Sequence, residues 1–186
     1  YTIGNYLADE IAVKAIPTDS PEFLAAEKAV SDRINTLMNI KGTKSVESFH
    51  KRLGKIMWEK CGMARNAEGL TQARRMIQEL RTEFYKDVFV PGSATGDYNP
   101  ELEKALRVAD FFEMGELMVI DALNRQESCG GHFREEYQTE EGEALRDDAN
   151  YAYVAAWSYS GWDTDPVLHK EDLVFENVEL KSRSYK

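Results

Sequence analysis

The residues with the most chemical potential in this 186-residue chain fall in one short run, Glu127-Ser128-Cys129-Gly130-Gly131-His132-Phe133-Arg134. Cys129 and His132 have CxxH spacing, which is half of a zinc site. A structural zinc takes four ligands, however, and Cys61, the other cysteine, has no Cys or His near it in sequence. The same pair, taken as thiolate and imidazole, is the start of a nucleophilic site, yet such a site needs a third group to orient the imidazole and the run offers none. Gly130-Gly131 gives the run a plainer use: two glycines after a long helix allow a sharp turn and the close approach of another backbone. From the residues alone, this is a docking turn whose polar side chains face some other surface. Elsewhere the chain holds no Gly-rich phosphate loop, no Walker motif and no GxSxG elbow. His50, among Phe49, Lys51 and Arg52, is expected on a helix rim, and His169 in a polar loop.

Composition narrows the function classes. Hydrophobic residues make up 42% and charged residues 30%, enough apolar material for a real core and too much for a disordered tail. The formal net charge of −10 makes the chain a poor binder of phosphate backbones, since such affinity comes from basic side chains releasing counterions, so no nucleic-acid partner is expected. No stretch approaches the ~20 apolar residues of a spanning helix, and nothing at the start has the form of a signal peptide. Two cysteines make no disulfide framework, so a reduced, cytoplasmic compartment is expected. A start at Tyr1 suggests a mature product or a piece of something longer.

The elements that must position the run are mostly helical. Residues 1–15 form a short helix carrying Ile3, Leu7, Ile11 and Val13, which Pro17 stops. Ser20, Pro21 and Glu22 are a cap, a first helical residue and a first-turn acid, opening a helix to about residue 39 with a stripe of Phe23, Glu27, Val30, Ile34 and Leu37. The spacing repeats from Ser45 with Val46, Phe49, Leu53, Ile56 and Met57, and again with Leu70, Ala73, Ile77, Leu80, Phe84 and Val88. Residues 91–100 form a loop, and Asn99-Pro100-Glu101 opens the longest helix, to about Arg125. Glu113 and Glu116 fall inside its apolar arc; a carboxylate there must pair or reach the rim, and Arg74 or Arg81 on the neighbouring helix is the expected partner rather than a catalytic role. Beyond Arg125, residues 127–148 hold eight acids against Arg134 and Arg146, a segment that either folds back on the mildly basic residues 45–88 or stays solvated. Tyr151, Tyr153, Ala155, Trp157 and Tyr159 alternate with smaller residues, the period of a strand with an aromatic face, and Leu173 to Leu180 is expected to pair with it as a hairpin. The fold is thus expected to be mainly α: an antiparallel three-helix, spectrin-repeat-like bundle over about 45–63, 67–89 and 100–125, with an extra preceding helix packed on it and a C-terminal β-hairpin-like tail.

The run also carries a resemblance. Asn124 through Glu135, with Arg146-Asp147-Asp148 after it, resembles the R-x-E-S-R-G-A-H-x-R-x-D…R-D-D stretch of the flavoprotein subunit of succinate dehydrogenase and fumarate reductase. Met57-Trp58 with Gly62-Met63-Ala64-Arg65 is similar to that family's M-W-x-x-x-G-x-x-R helix end, and Arg183-Ser184-Tyr185 to its Arg-x-Tyr finish. The stretch Tyr1 to Asp9 is similar to the helix leaving the last flavin-binding segment in the diheme-anchor branch. The chain departs from the pattern at Cys129, where the family has Arg, and at Gly131, usually Ala. L-aspartate oxidase carries a similar motif.

The resemblance implies a C-terminal domain of a longer subunit that interconverts succinate and fumarate at covalent FAD. The flavin-binding and substrate-binding residues would lie upstream, leaving no catalytic, cofactor-binding or metal residue in this chain, which is expected to be inactive alone. It implies a domain-interface role for Glu127, Ser128, Cys129, Gly130, Gly131, His132 and Arg134, beside the flavin-binding and capping domains of the same subunit. Further partners implied are an iron–sulfur subunit and, through the complex, a membrane cytochrome b anchor, with the parent peripheral on the cytoplasmic face of the inner membrane. The organisation that goes with it is a left-over helix at 1–15, a helix and linker at 16–44, the bundle and docking turn at 45–137, and an acidic segment with a β-type tail at 138–186. The other classes left open are a free-standing acidic helical module for a basic partner, and a metal or thiol enzyme centred on Cys129 and His132.

Overall fold

A computed structural model of the protein describes residues 2–9, 17–96, 98–179 and 181. The chain divides into two compact units, Tyr1–Thr36 and Leu37–Lys186. The first holds helix α1 (Thr2–Asp9) and most of α2 (Pro21–Asn39). The helix expected over 1–15 is thus seen as Thr2–Asp9, and Ile11 and Val13 lie outside the described residues. α2 starts where Ser20-Pro21 predicts, with the Ser20 carbonyl accepting from Leu24 N at 3.1 Å. Toward its end Leu37 and Met38, which belong to the second unit, are buried.

The second unit is the predicted bundle. α3 (Val46–Lys60), α4 (Ala67–Asp87) and α5 (Pro100–Asn124) run up, down and up. Each begins on a polar cap: Ser45 Oγ accepts from Ser48 N at 3.3 Å, Asn66 Oδ1 from Gly69 N at 2.7 Å, and Asn99 Oδ1 from Glu101 N and Leu102 N, both at 3.1 Å. The core is the predicted apolar faces meeting. Phe49, Phe84 and Phe112, one from each helix, meet there, Phe84 edge-on to Phe49 with centroids 5.3 Å apart and tilted by 58° against Phe112 at 5.4 Å, and Leu53, Leu70, Ile77, Val108 and Val119 are buried around them. Gly115 stands where α5 faces α3, and a Cβ there would make ordinary contacts, 3.4 Å from Met57 Sδ and 3.8 Å from Leu53 Cδ1, with no room for a larger side chain.

Two features differ from the sequence-based outline. The end of the 67–89 helix leaves α4 as strand β2 (Val88–Phe89), which pairs in parallel with β1 (Lys44–Ser45), so the entrance of α3 is clasped to the exit of α4. Gly42 sits so tightly on the backbone of Asp87 that a Cβ would fall 2.0 Å from its carbonyl carbon. In the tail, a single turn α6 (Asp148–Tyr151) leads into β3 (Tyr153–Ser158), whose partner is β4 (Val167–Asp172) rather than 173–180. The antiparallel register runs from Tyr153↔Asp172 to Ser158↔Val167. Leu173 N extends the pairing by donating to the Ala152 carbonyl at 2.9 Å, and Val174 and Val178 are exposed. Leu180 lies outside the described residues. The aromatic face of β3 turns inward as its period predicts: Tyr153 is buried, and Trp157 Nε1 donates to Asp121 Oδ1 on α5 at 2.8 Å.

Candidate functional site

The site grows from a problem at the end of α5. A helix leaves its last carbonyls unpaired and its C-terminus partially negative. α5 has no basic residue in its last turn, and its cap residue Arg125 is extended. The missing charge comes from Arg134, 2% exposed, whose Nη1 donates to the carbonyls of Ala122 at 2.9 Å, Leu123 at 3.3 Å and Arg125 at 3.4 Å. A buried guanidinium needs a counter-charge, and Glu136 accepts from Arg134 Nε at 3.1 Å. The other Glu136 oxygen accepts from Ala67 N, the first residue of α4, at 2.5 Å. Burial pushes the Glu136 carboxyl up, but the Ala67 N–H and the Arg134 guanidinium outweigh it and hold it below the usual carboxylate range. One ion pair therefore spans the C-terminal end of α5 and the N-terminal start of α4.

The rest of the run is arranged around this link. Ser128, fully buried, accepts from Arg134 N at 2.8 Å and donates to the Arg134 carbonyl at 3.2 Å. Glu127, 2% exposed, accepts from Arg125 Nη1 at 2.7 Å and from Asp147 N at 2.8 Å. Arg125 donates to the carbonyls of Tyr151 and Tyr153, each at 3.2 Å, and lies over both rings. Cys129 and His132 exchange both backbone hydrogen bonds, at 2.8 and 3.0 Å, closing a hairpin over Gly130-Gly131. Gly130 has φ 59, a left-handed conformation that favours glycine; Gly131 does not. Both glycines are exposed, and a Cβ on either would meet nothing within 4 Å.

The seven sequence-predicted residues are thus brought together, but they do not share one face. Glu127, Ser128 and Arg134 turn their polar atoms into the fold, correcting the expectation that the polar side chains look outward, while Cys129 and His132 are half-buried and the two glycines are exposed. The acidic run folds back in part as well, with Glu135 accepting from Asn66 Nδ2 at 2.6 Å beside the Glu136 contact. Sequence reasoning passed over Arg65 as a site residue, although it had singled out the segment ending there. Arg65 N donates to the Phe133 carbonyl at 3.0 Å, its own carbonyl accepts from Glu135 N at 2.8 Å, and its Nη1 lies 3.0 Å from His132 Nδ1.

That last contact removes the thiol–imidazole reading. His132 Nε2 lies 2.9 Å from the Arg125 carbonyl, so both ring nitrogens are engaged and neither is free to take a proton from Cys129. Among the described residues, no group of three or more His, Cys, Asp or Glu is placed to hold a metal ion. Burial, together with Arg65, Arg134 and Arg125, holds the imidazole below its ordinary value of 6.5 against the opposing effect of the Arg125 carbonyl. The Glu116 cluster is structural, as expected: buried Glu116 accepts from Arg81 Nη1 at 2.6 Å, Gln78 Nε2 at 2.6 Å and Arg74 Nε at 3.4 Å. The starts of α3, α4 and α5 are closed by their own caps, and the start of α4 also carries the Glu136 carboxylate. Among the described residues no helix is long and apolar enough to cross a membrane.

Comparison with known proteins places this arrangement. The family model for the fumarate reductase flavoprotein C-term matches residues 50–185. The fumarate reductase flavoprotein subunit of Helicobacter pylori (strain ATCC 700392 / 26695) is 28% identical over 180 residues, covering 96% of this chain and 24% of that one. The corresponding subunit of Proteus vulgaris is 30% identical over 149 residues, covering 78% and 24%. A solved quinol-fumarate reductase with menaquinol molecules shares the fold with a TM-score of 0.74 at 23% identity, over 95% of this chain and 29% of its own. The chain thus spans about a quarter of the length of the curated relatives it matches. With the matched region reaching from within α3 to the tail and containing the whole Glu127–Arg134 run, the chain belongs to the fumarate reductase flavoprotein C-terminal family.

Proposed function

We propose that this chain works as the C-terminal helical domain of a longer flavoprotein subunit that interconverts succinate and fumarate, seating its Gly130-Gly131 crest against the flavin-bearing and capping portions of that subunit. The supporting observation is a crest with no side chains, open on its outer side and held from below by Ser128, Arg134 and His132. Such a surface offers bare backbone to a close neighbour, and its support fixes it before the neighbour arrives. In this reading FAD is held by the other portions of the subunit, electrons pass on to an iron–sulfur subunit, and a membrane cytochrome b anchor holds the complex on the cytoplasmic face of the inner membrane. Cys129, where the family resemblance has Arg, then brings no charge to the interface. Glu135 and Glu136, engaged against the start of α4, are poorly available to a basic partner, which weakens the reading as a free-standing acidic module.

Gly131→Trp tests the proposal, because the space outside that position is empty and its φ is ordinary. In this chain alone the substitution is expected to change stability by no more than about 0.5 kcal/mol, as at other open surface positions. In the full-length subunit it is expected to lower flavin retention and succinate–dye reduction together. Full flavin content and full turnover in the Gly131→Trp subunit would refute the seating.

A further inference from the structure

The two partners of His132 fix its proton. The Arg125 carbonyl can only accept, so Nε2 carries the hydrogen; the Arg65 guanidinium can only donate, so Nδ1 presents its lone pair. The imidazole is therefore the neutral Nε2–H tautomer, and it is a joint between two segments far apart in sequence: the α3–α4 connection at 61–66 and the crest at 129–132. The charged groups facing it are cationic, with Arg65 from that connection, Arg125 from the end of α5 and Arg134 from the segment just after the crest. The nearby carboxylates of Glu127 and Glu136 lie on Arg125 and Arg134, and Cys129 meets His132 through the backbone. A proton taken from solvent by Nδ1 would replace an acceptor by a second N–H aimed at a guanidinium, in a half-buried site faced by three guanidinium groups.

We infer that His132 is a proton-sensitive latch, in which one proton at Nδ1 releases Arg65 and unfastens the α3–α4 connection from the crest. The Arg65 and Glu135 backbone bonds that run alongside lose their side-chain lock at the same time. The crest is then rigid when the imidazole is neutral and loosened when it is charged. This holds within the chain itself, whether or not the crest seats a neighbour.

The test is an NMR titration of the full 186-residue chain, following the His132 ring carbons and the protection factors of the Arg65 and Glu135 amides. The expected result is an imidazole midpoint below the ordinary value, with protection of both amides falling at least tenfold in step with it. Arg65→Gln should move the midpoint back up and uncouple the amides from it, and His132→Gln should leave their protection flat through the same window. Should either variant fail to fold, the unsubstituted chain still decides: protection that stays constant while His132 titrates overturns the latch. So does an equal loss of protection in a folded His132→Gln chain.

Discussion

Arg134 occupies a position where its charge, hydrogen bonds and packing all act on the same helix end. Its head group satisfies three α5 carbonyls, its backbone is held by Ser128, and its Cζ lies 5.4 Å from the Tyr137 ring centroid. Arg134→Met keeps the stem and removes the head, leaving those carbonyls and the Glu136 carboxylate without their partner. The expected loss is about 3–5 kcal/mol, the range for breaking a buried, hydrogen-bonded charge, read from urea denaturation of this chain; a loss below about 1 kcal/mol would mean that water replaces the guanidinium readily. At this scale the sequence was only half legible. CxxH spacing and the double glycine singled out a run that the fold holds together, but what each side chain does is set by Arg65, 67 positions from His132, and by carbonyls at the end of a helix. Spacing within a run carries no information about partners that only folding brings near.

Helices were the most legible elements, because one apolar face repeats at the helical period and each start carries its own polar cap. α3, α4 and α5 begin within a residue of the expected positions, and the Asn99-Pro100 start holds in detail, with Asn99 Nδ2 also fastening the preceding loop through the Pro91 carbonyl at 2.8 Å. The β1–β2 clasp was unreadable, since two-residue strands have no period, and its geometry rests on Gly42 touching a backbone 45 positions ahead. The misplaced second strand has a clear cause as well. Leu173–Val178 is the more apolar stretch, but the pairing is set by an eight-residue connection from Ser158 to Val167, which closes the hairpin on a polar strand before that stretch is reached. Gly115 gives a test of helix contact. Gly115→Ala puts a methyl at ordinary contact distance from Met57 and should stabilise the chain by up to about 1 kcal/mol through helix propensity. Gly115→Leu should destabilise it by about 1–3 kcal/mol by forcing α5 off α3. Thermal unfolding of both variants checks the pair of signs.

For the whole molecule, His132 and the most strongly shifted carboxylate, Glu83, should act in separate ranges. His132 is held below 6.5 in the fold, so the unfolded chain binds more protons as pH falls beneath that value; its contribution is complete above about 6.5 and is lost on descending through the range between the two values. Glu83, on which Arg52 and Lys44 converge, is lowered from 4.5 to about 2, so its contribution is intact above 4.5 and is lost as pH falls toward 2. Stability measured against pH should therefore fall in two ranges, with His132→Gln flattening the first and Glu83→Gln reducing the second, which Glu136 and Asp87 share because their carboxyls are also held low; a first range left unchanged by His132→Gln would contradict this assignment. In keeping with the proposed division of labour, this chain mixed with FAD and succinate is expected to reduce no dye.

The pairing of Arg134 with Glu136 has one more consequence. In a solitary helix each extremity frays on its own, because the terminal turns are the least secured. Here the closing turn of α5 and the opening turn of α4 are fastened to the same two side chains. Their transient openings should then be a single event, with one shared frequency, and whatever tugs on the crest should be felt in both helices at once.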